Sequence, residues 1–280
     1  MNHYFYYVIV MKRGFLILFV LILAGVDSPA QRLDEWLNTG RISPEERMEA
    51  TSRVADLVAT LRPEGSSDIR HLRKIFRKVQ GTVLKQYEAN SDFPQLFSEG
   101  KYDCLTATAL YAHLLSELGY DFKVIETNYH IFILTKTSEG DVLLETTDRV
   151  GGFVTDAEGI AQRIGAYRRN AIAGSNNENN YRYHCNLYRT VEPEKLTGLL
   201  LFNQAVKAYN RGDWLVCARS LEQAHTRYAT ERSFELNEIL VRTLMERKEI
   251  SAEVRSACLV HLKAIVVDRS ITVAANPSLD

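Results

Sequence analysis

The stretch Gly100-Lys101-Tyr102-Asp103-Cys104-Leu105-Thr106-Ala107-Thr108-Ala109-Leu110-Tyr111 decides how the rest of the chain is read. From it, Ala107, Leu110, Tyr111, Leu114, Leu115 and Leu118 recur at helical spacing, and Gly119 stands where a helix C-terminus is capped. Asp103 and Cys104 therefore open a helix. A thiol at that position feels the positive end of the macrodipole, which favours thiolate. The free amides of the first turn can also hold a developing oxyanion. The plainer reading of a lone helical cysteine is a small core residue.

Beyond Gly119 the period changes. Phe122 to Thr127, His130 to Thr135 and Val142 to Thr147 read as strands, the last two joined by a Ser138-Glu139-Gly140 turn. Helices followed by a strand meander predict an α+β fold. If the turn closes a hairpin, His130 at the start of one strand lies beside Asp148 at the end of the next. Cys104, His130 and Asp148 then form a nucleophile, a proton acceptor and an orienting carboxylate. Glu145 is a second candidate for the orienting role, but alternation along its strand directs it less predictably toward His130. Each residue also has an ordinary use: a hydrogen-bonded strand histidine, and an aspartate that caps a turn. A Cys/His/Asp metal site would lack close ligand spacing.

The Gly100–Tyr111 stretch resembles the nucleophile helix of the transglutaminase-like superfamily. Leu118-Gly119-Tyr120, Asn128-Tyr129-His130-Ile131-Phe132 and Glu145-Thr146-Thr147-Asp148 are similar to the remainder of that core, and the likeness spans roughly Tyr87 to Val150. The resemblance implies a papain/transglutaminase-like core, with a Cys-bearing helix packed on an antiparallel sheet. It implies acyl chemistry at amides of peptides or proteins (proteolysis, deamidation or crosslinking) with Cys104, His130 and Asp148 as catalytic residues and neither metal nor organic cofactor. Two positions depart from the family pattern: Leu105 stands beside the cysteine where many members have an aromatic, and Phe132 stands where many have Trp. Gln86, Asn90 and Gln95 are the candidates for an upstream oxyanion donor.

Around this core, Ser43-Pro44-Glu45-Glu46 opens a helix to about Leu61, ended by Pro63-Glu64-Gly65. A second helix from near Asp68 carries the stripe Ile69, Leu72, Ile75, Phe76, Val79, Val83, with His71 off it and solvated. Residues 87–100 read as a mixed loop and 157–164 as a helix. Residues 175–180 form an Asn-rich loop, and Tyr181 to Arg189 a short strand that carries Tyr183, His184 and Tyr188. His113 is placed on the surface.

At the N-terminus, Lys12-Arg13, an apolar run from Gly14 to Val26 and Ser28-Pro29-Ala30 have the layout of a signal peptide cleaved near Ala30, with Met11 as a second candidate start. The run is short of the ~20 residues a spanning helix needs. The chain is expected to be exported, periplasmic or extracellular, and to meet a membrane only through that segment if it is uncleaved. Acidic and basic residues nearly cancel, at 35 and 34, so no basic field argues for nucleic acid. Cys104, Cys185, Cys217 and Cys258 form no disulfide framework.

From Pro193 onward the pattern is helical. Leu201, Ala205, Tyr209, Gly212-Asp213-Trp214, Cys217, Leu221 and Ala224 resemble one tetratricopeptide repeat, with small residues where helices cross. Helices over 234–246 and 252–265 extend it. The expected division is a signal peptide over 1–30, a transglutaminase-like domain over 31–190, a tetratricopeptide-like segment over 191–270 and a flexible tail over 271–280. The helical segment is either a surface for a protein partner or a cap that leans on the core. Two functions stand: an exported cysteine hydrolase or acyltransferase, and a non-catalytic scaffold that binds a protein partner.

Overall fold

The computed structural model of the chain describes residues 28–62, 69–127, 130–170 and 187–275. The apolar N-terminal run, the Pro63-Glu64-Gly65 breaker, the Asn-rich loop and most of the expected strand over 181–189, with Cys185, lie outside the described residues, as do 276–280. Among the described residues no helix is long and apolar enough to cross a membrane.

Three helices come first. Helix α1 (Pro29–Leu37) starts at a capping box between Ser28 and Gln31. It buries Trp36 completely, and the indole N–H donates to Thr197 at 3.1 Å. Helix α2 (Pro44–Leu61) has the expected Ser43–Glu46 box. Helix α3 (Ile69–Thr82) buries Leu72, Ile75, Phe76 and Val79, the expected stripe. His71 is not solvated as expected. The Tyr120 ring stacks on it at 5.8 Å, and its two nitrogens bond the Tyr120 hydroxyl at 2.5 Å and the Leu61 carbonyl at 2.6 Å.

The presumed loop that follows contains β1 (Gln86–Tyr87) and the single turn α4 (Gln95–Ser98). β1 pairs in parallel with β2 (Lys101–Tyr102), which leads directly into α5 (Cys104–Glu117). Gly119 ends α5 at φ +74°, with Gly119 N–H on the Ser116 carbonyl and Tyr120 N–H on the Leu115 carbonyl. That is the two-bond C-terminal cap that favours glycine. Every residue of α5 from Leu105 to Leu115 is buried. A helix buried on all sides has no solvent face, so His113 is buried beside Trp36 rather than on the surface. Burial pushes its pKa down to about 4.

The main sheet is antiparallel, in the order β6-β5-β4-β3-β7. Its strands are β3 (Phe122–Thr127), β4 (Ile131–Thr137), β5 (Gly140–Leu144), β6 (Phe153–Val154) and β7 (Tyr188–Val191). One face, with Val124, Ile131, Ile133, Val142 and Leu144, joins α1, α2, α3 and α5 in the main core. The other face, with Ile125, Phe132 and Leu143, lies under Ile160, Ile164 and Tyr167 of α6 (Ala157–Asn170). The fold is therefore α+β. β5 stops at Leu144, three residues before the expected strand end, and α6 outruns the expected helix by six.

A short 3₁₀ turn leads to the helices α7 (Leu196–Arg211), α8 (Trp214–Arg227), α9 (Glu231–Glu246) and α10 (Ala252–Ala275). Cys217, Ala218, Leu221 and Ala224 are buried in a second core with Leu236, Leu240, Cys258 and Leu262. Gly198 lets α7 close on the next chain segment, because a Cβ there would stand 2.5 Å from the Tyr228 Cβ. α10 extends past residue 271, where a flexible tail was expected. This helical segment is tied to the α+β part by Arg32–Glu194 and Arg227–Glu35 ion pairs at 2.8 Å, and by Gln204 and Lys207 on Asp92 at 2.6 and 2.9 Å.

Candidate active site

Cys104 is the first residue of α5, and Asp103 is its cap. The Asp103 carboxylate accepts from the Thr106 amide at 2.8 Å, and the Thr106 hydroxyl accepts from the Asp103 N–H at 2.9 Å. Asn203 of α7 donates to the other Asp103 oxygen at 3.0 Å, so the C-terminal helices hold the cap of the cysteine helix. Asp103 is buried, and burial raises its pKa despite these bonds.

The cap also disposes of the helix amides. Thr106 and Leu105 N–H point at the Asp103 carboxylate, and Ala107 N–H bonds the Asp103 carbonyl at 3.1 Å. Among the described residues nothing accepts from the Cys104 N–H. The Cys104 amide is thus the one in the first turn that the cap does not engage.

The helix dipole does not ionise the thiol, contrary to the expectation from its place at the helix start. Burial, then the Asp103 and Glu145 charges, push the Cys104 pKa upward, against the weaker pull of the Ile131 amide and Arg232. Packing around the thiol and two nearby carboxylates outweigh half a positive charge on the helix end. The residue keeps partial exposure. No hydrogen bond joins the thiol to His130 among the described residues; the Ile131 amide, one residue along the chain, is the group that faces it.

His130 precedes β4 and bonds through Nε2 to a Glu145 oxygen. The same oxygen accepts from the Tyr167 hydroxyl of α6. The other takes the Thr147 N–H at 3.1 Å and hydroxyl at 2.6 Å. Burial pushes the Glu145 pKa up, but the bonds from His130, Thr147 and Tyr167 prevail and hold it below the ordinary carboxylate value. The Tyr167 ring lies 4.8 Å from the imidazole and screens the His130–Glu145 bond. Burial, with the Glu145 charge behind it, raises the Tyr167 pKa, so the phenol remains a donor.

Asp148 does not reach His130. Its Oδ2 pairs with Arg163 at 2.7 Å, and its Oδ1 accepts from Val150 and Gly151 amides at 3.2 and 2.8 Å. It caps the β5–β6 loop, the ordinary use of an aspartate there. The reason is register. Thr137 pairs with Gly140 across a two-residue turn, and Ile133 with Leu144. Continued outward, this places Thr147 opposite His130, with Glu145 on the His130 side and Asp148 on the other. A three-residue turn would have set Asp148 opposite His130; a slip of one residue exchanges the faces. Gly152 closes the loop: a Cβ there would lie 2.2 Å from both the Glu145 and Asp148 carbonyl oxygens.

Of the proposed upstream donors, Gln95 is engaged with the Asp92 amide and Glu99, both at 2.9 Å. Asn90 occupies a turn at φ 57°. Gln86 is exposed in β1. Tyr167 was not anticipated, because no local pattern ties a helix 37 residues beyond His130 to the imidazole. Among the described residues no group of three or more His, Cys, Asp and Glu is arranged to hold a metal ion.

Comparison with family models, with curated proteins and with solved structures returns no match for this chain.

Proposed function

We propose that this protein is a transglutaminase-like cysteine hydrolase or acyltransferase acting on amide bonds of peptides or proteins, with Cys104, His130 and Glu145 as its triad. The observation that carries the reading is the Glu145–His130 bond, made at the mouth of a helix that begins with Cys104 and keeps the Cys104 N–H free. Glu145 holds Nε2–H, which leaves Nδ1 as the base. The resting thiol is protonated, so attack and proton transfer are coupled. Sγ bonds the carbonyl carbon and the C=O π pair moves to oxygen while Nδ1 takes the thiol proton. Collapse returns that proton to the leaving nitrogen and leaves a thioester. Water or an amine then attacks the thioester, and the thiol is released with its proton restored through His130.

The papain-like arrangement of the core, the tetratricopeptide-like character of α7–α10, a protein partner on those helices and export through residues 1–30 belong to the same proposal. The non-catalytic scaffold has one observation in its favour: a raised thiol pKa with no Sγ–imidazole hydrogen bond.

p-Nitrophenyl acetate decides between the two. The catalytic reading expects an acetyl group on the Cys104 peptide by mass spectrometry, formed ~100-fold or more slowly in His130→Ala. Acetylation that is slow in the wild type and indifferent to His130 leaves the scaffold.

A further inference from the structure

A tetrahedral intermediate needs two donors at its oxyanion, and the Cys104 N–H supplies one. The second must approach from outside α5, since Asp103 has taken the neighbouring amides. We propose that the phenolic hydroxyl of Tyr87 is that donor, so that Tyr87 is a catalytic residue and β1 forms one wall of the acyl site.

The placement follows from the short parallel ladder. Tyr87 pairs with Tyr102, two residues ahead of Cys104, through Gln86 N–H on the Gly100 carbonyl at 3.1 Å and Glu88 N–H on the Tyr102 carbonyl at 2.8 Å. Paired residues of a parallel ladder project to the same side, and the two rings meet edge to face at 5.9 Å. The backbone of Tyr87 is therefore pinned against the strand that delivers the thiol. Its side chain is 56% exposed, and its hydroxyl bonds nothing among the described residues. The ladder thus sets the Tyr87 ring on the same side as Tyr102, two residues before the thiol, and the Asp103 and Glu145 carboxylates both act on the phenol. A phenol is protonated at neutral pH, and partial burial of the ring followed by the neighbouring carboxylates raises its pKa further, so it donates without ionising. During acylation it gives a hydrogen bond to the oxygen that gains the π pair; no proton leaves it.

The proposal rests on the acyl-transfer reading, and two reagents separate them. Iodoacetamide alkylates a thiol by direct displacement and develops no oxyanion, whereas p-nitrophenyl acetate passes through a tetrahedral species. In the full chain, Tyr87→Phe should slow acetylation of Cys104 by ~100-fold, the lower end of the range for losing one oxyanion donor, and leave its alkylation rate unchanged. The unchanged alkylation also reports an intact site. Unaltered acetylation in Tyr87→Phe overturns the role of Tyr87 alone. Equal slowing of both reactions also overturns it, and makes Tyr87 part of the thiol's packing. A wild type without Cys104-dependent acetylation fails the function itself, and this inference with it.

Discussion

Two histidines in this molecule sit in chains of the same outline and are put to different ends. His130 bonds Glu145 and stands one residue before Ile131, whose amide faces the Cys104 thiol. His225, on α8, lies between Ser233 and Asp268, with Ser233 Oγ at 2.8 Å and Asp268 Oδ2 at 3.0 Å. On distances alone the second is the better Ser-His-Asp triad. Its hydroxyl, however, is committed. Ser233 donates to the Thr230 carbonyl at 2.7 Å and accepts from the Thr230 amide at 3.2 Å, closing the capping box of α9, and it is fully buried. The Cys104 thiol carries no such obligation, stays partly exposed and has a free amide beside it. A triad is recognised by what its nucleophile is left free to do, not by three side chains in a row.

The comparison breaks most easily at the nucleophiles. Cys104→Ala should abolish acetyl transfer from p-nitrophenyl acetate, a loss of at least ~1000-fold, while Ser233→Ala should leave the rate of Cys104 acetylation within about twofold. A Ser233-dependent activity that survives Cys104→Ala would reverse the assignment.

The orienting carboxylates come next. Glu145→Gln should slow acetylation by ~10- to 100-fold, because the imidazole loses its charged partner. Asp148→Asn should leave it almost unchanged and cost ~0–1 kcal/mol by urea unfolding, since the Arg163 pair is about a third exposed on each side. The opposite ranking would restore Asp148 to the site.

Stability should show a third difference, centred on His113. Its folded pKa, about 4, lies below the unfolded value near 6.5. Between those values the unfolded chain binds more protons, so stability rises with pH. It should therefore fall as pH drops from about 6.5 toward 4, by on the order of 3 kcal/mol. His113→Phe should flatten that part of the pH–stability curve; an unchanged slope would assign it to other groups. In urea unfolding Ser233→Ala should cost ~1 kcal/mol, as for a weakened helix cap, and Asp148→Asn no more than that.

Legibility followed the range of the interaction. The α2 box, the α3 stripe, the α5 helix and its Gly119 cap depend on neighbours within four or five residues, and all were readable. The β4–β5 hairpin was readable as a hairpin, but its partner residues hinged on one residue of turn length. Gly140 was assigned to the turn; in the fold it opens β5 at φ +130° and pairs with Thr137. That slip exchanged Asp148 for Glu145, which the sequence had also raised. His71 and His113 were misplaced for another reason: each lies off the apolar stripe of its helix, but a second layer of structure covers that face.

Composition and periodicity alone determined the α+β class, the position of Cys104 at a helix start and the presence of His130 and a carboxylate near the strand ends, because those follow from local spacing and capping chemistry. Tertiary structure decided which carboxylate meets the imidazole and that Tyr167 covers it. It also decided that Asn203 steadies Asp103 and that burial, with the Glu145 charge behind it, pushes the thiol pKa up. These are contacts across 15 to 100 residues of chain, made only when strand register and layer packing bring side chains of unrelated segments together, and no local pattern in the sequence encodes them.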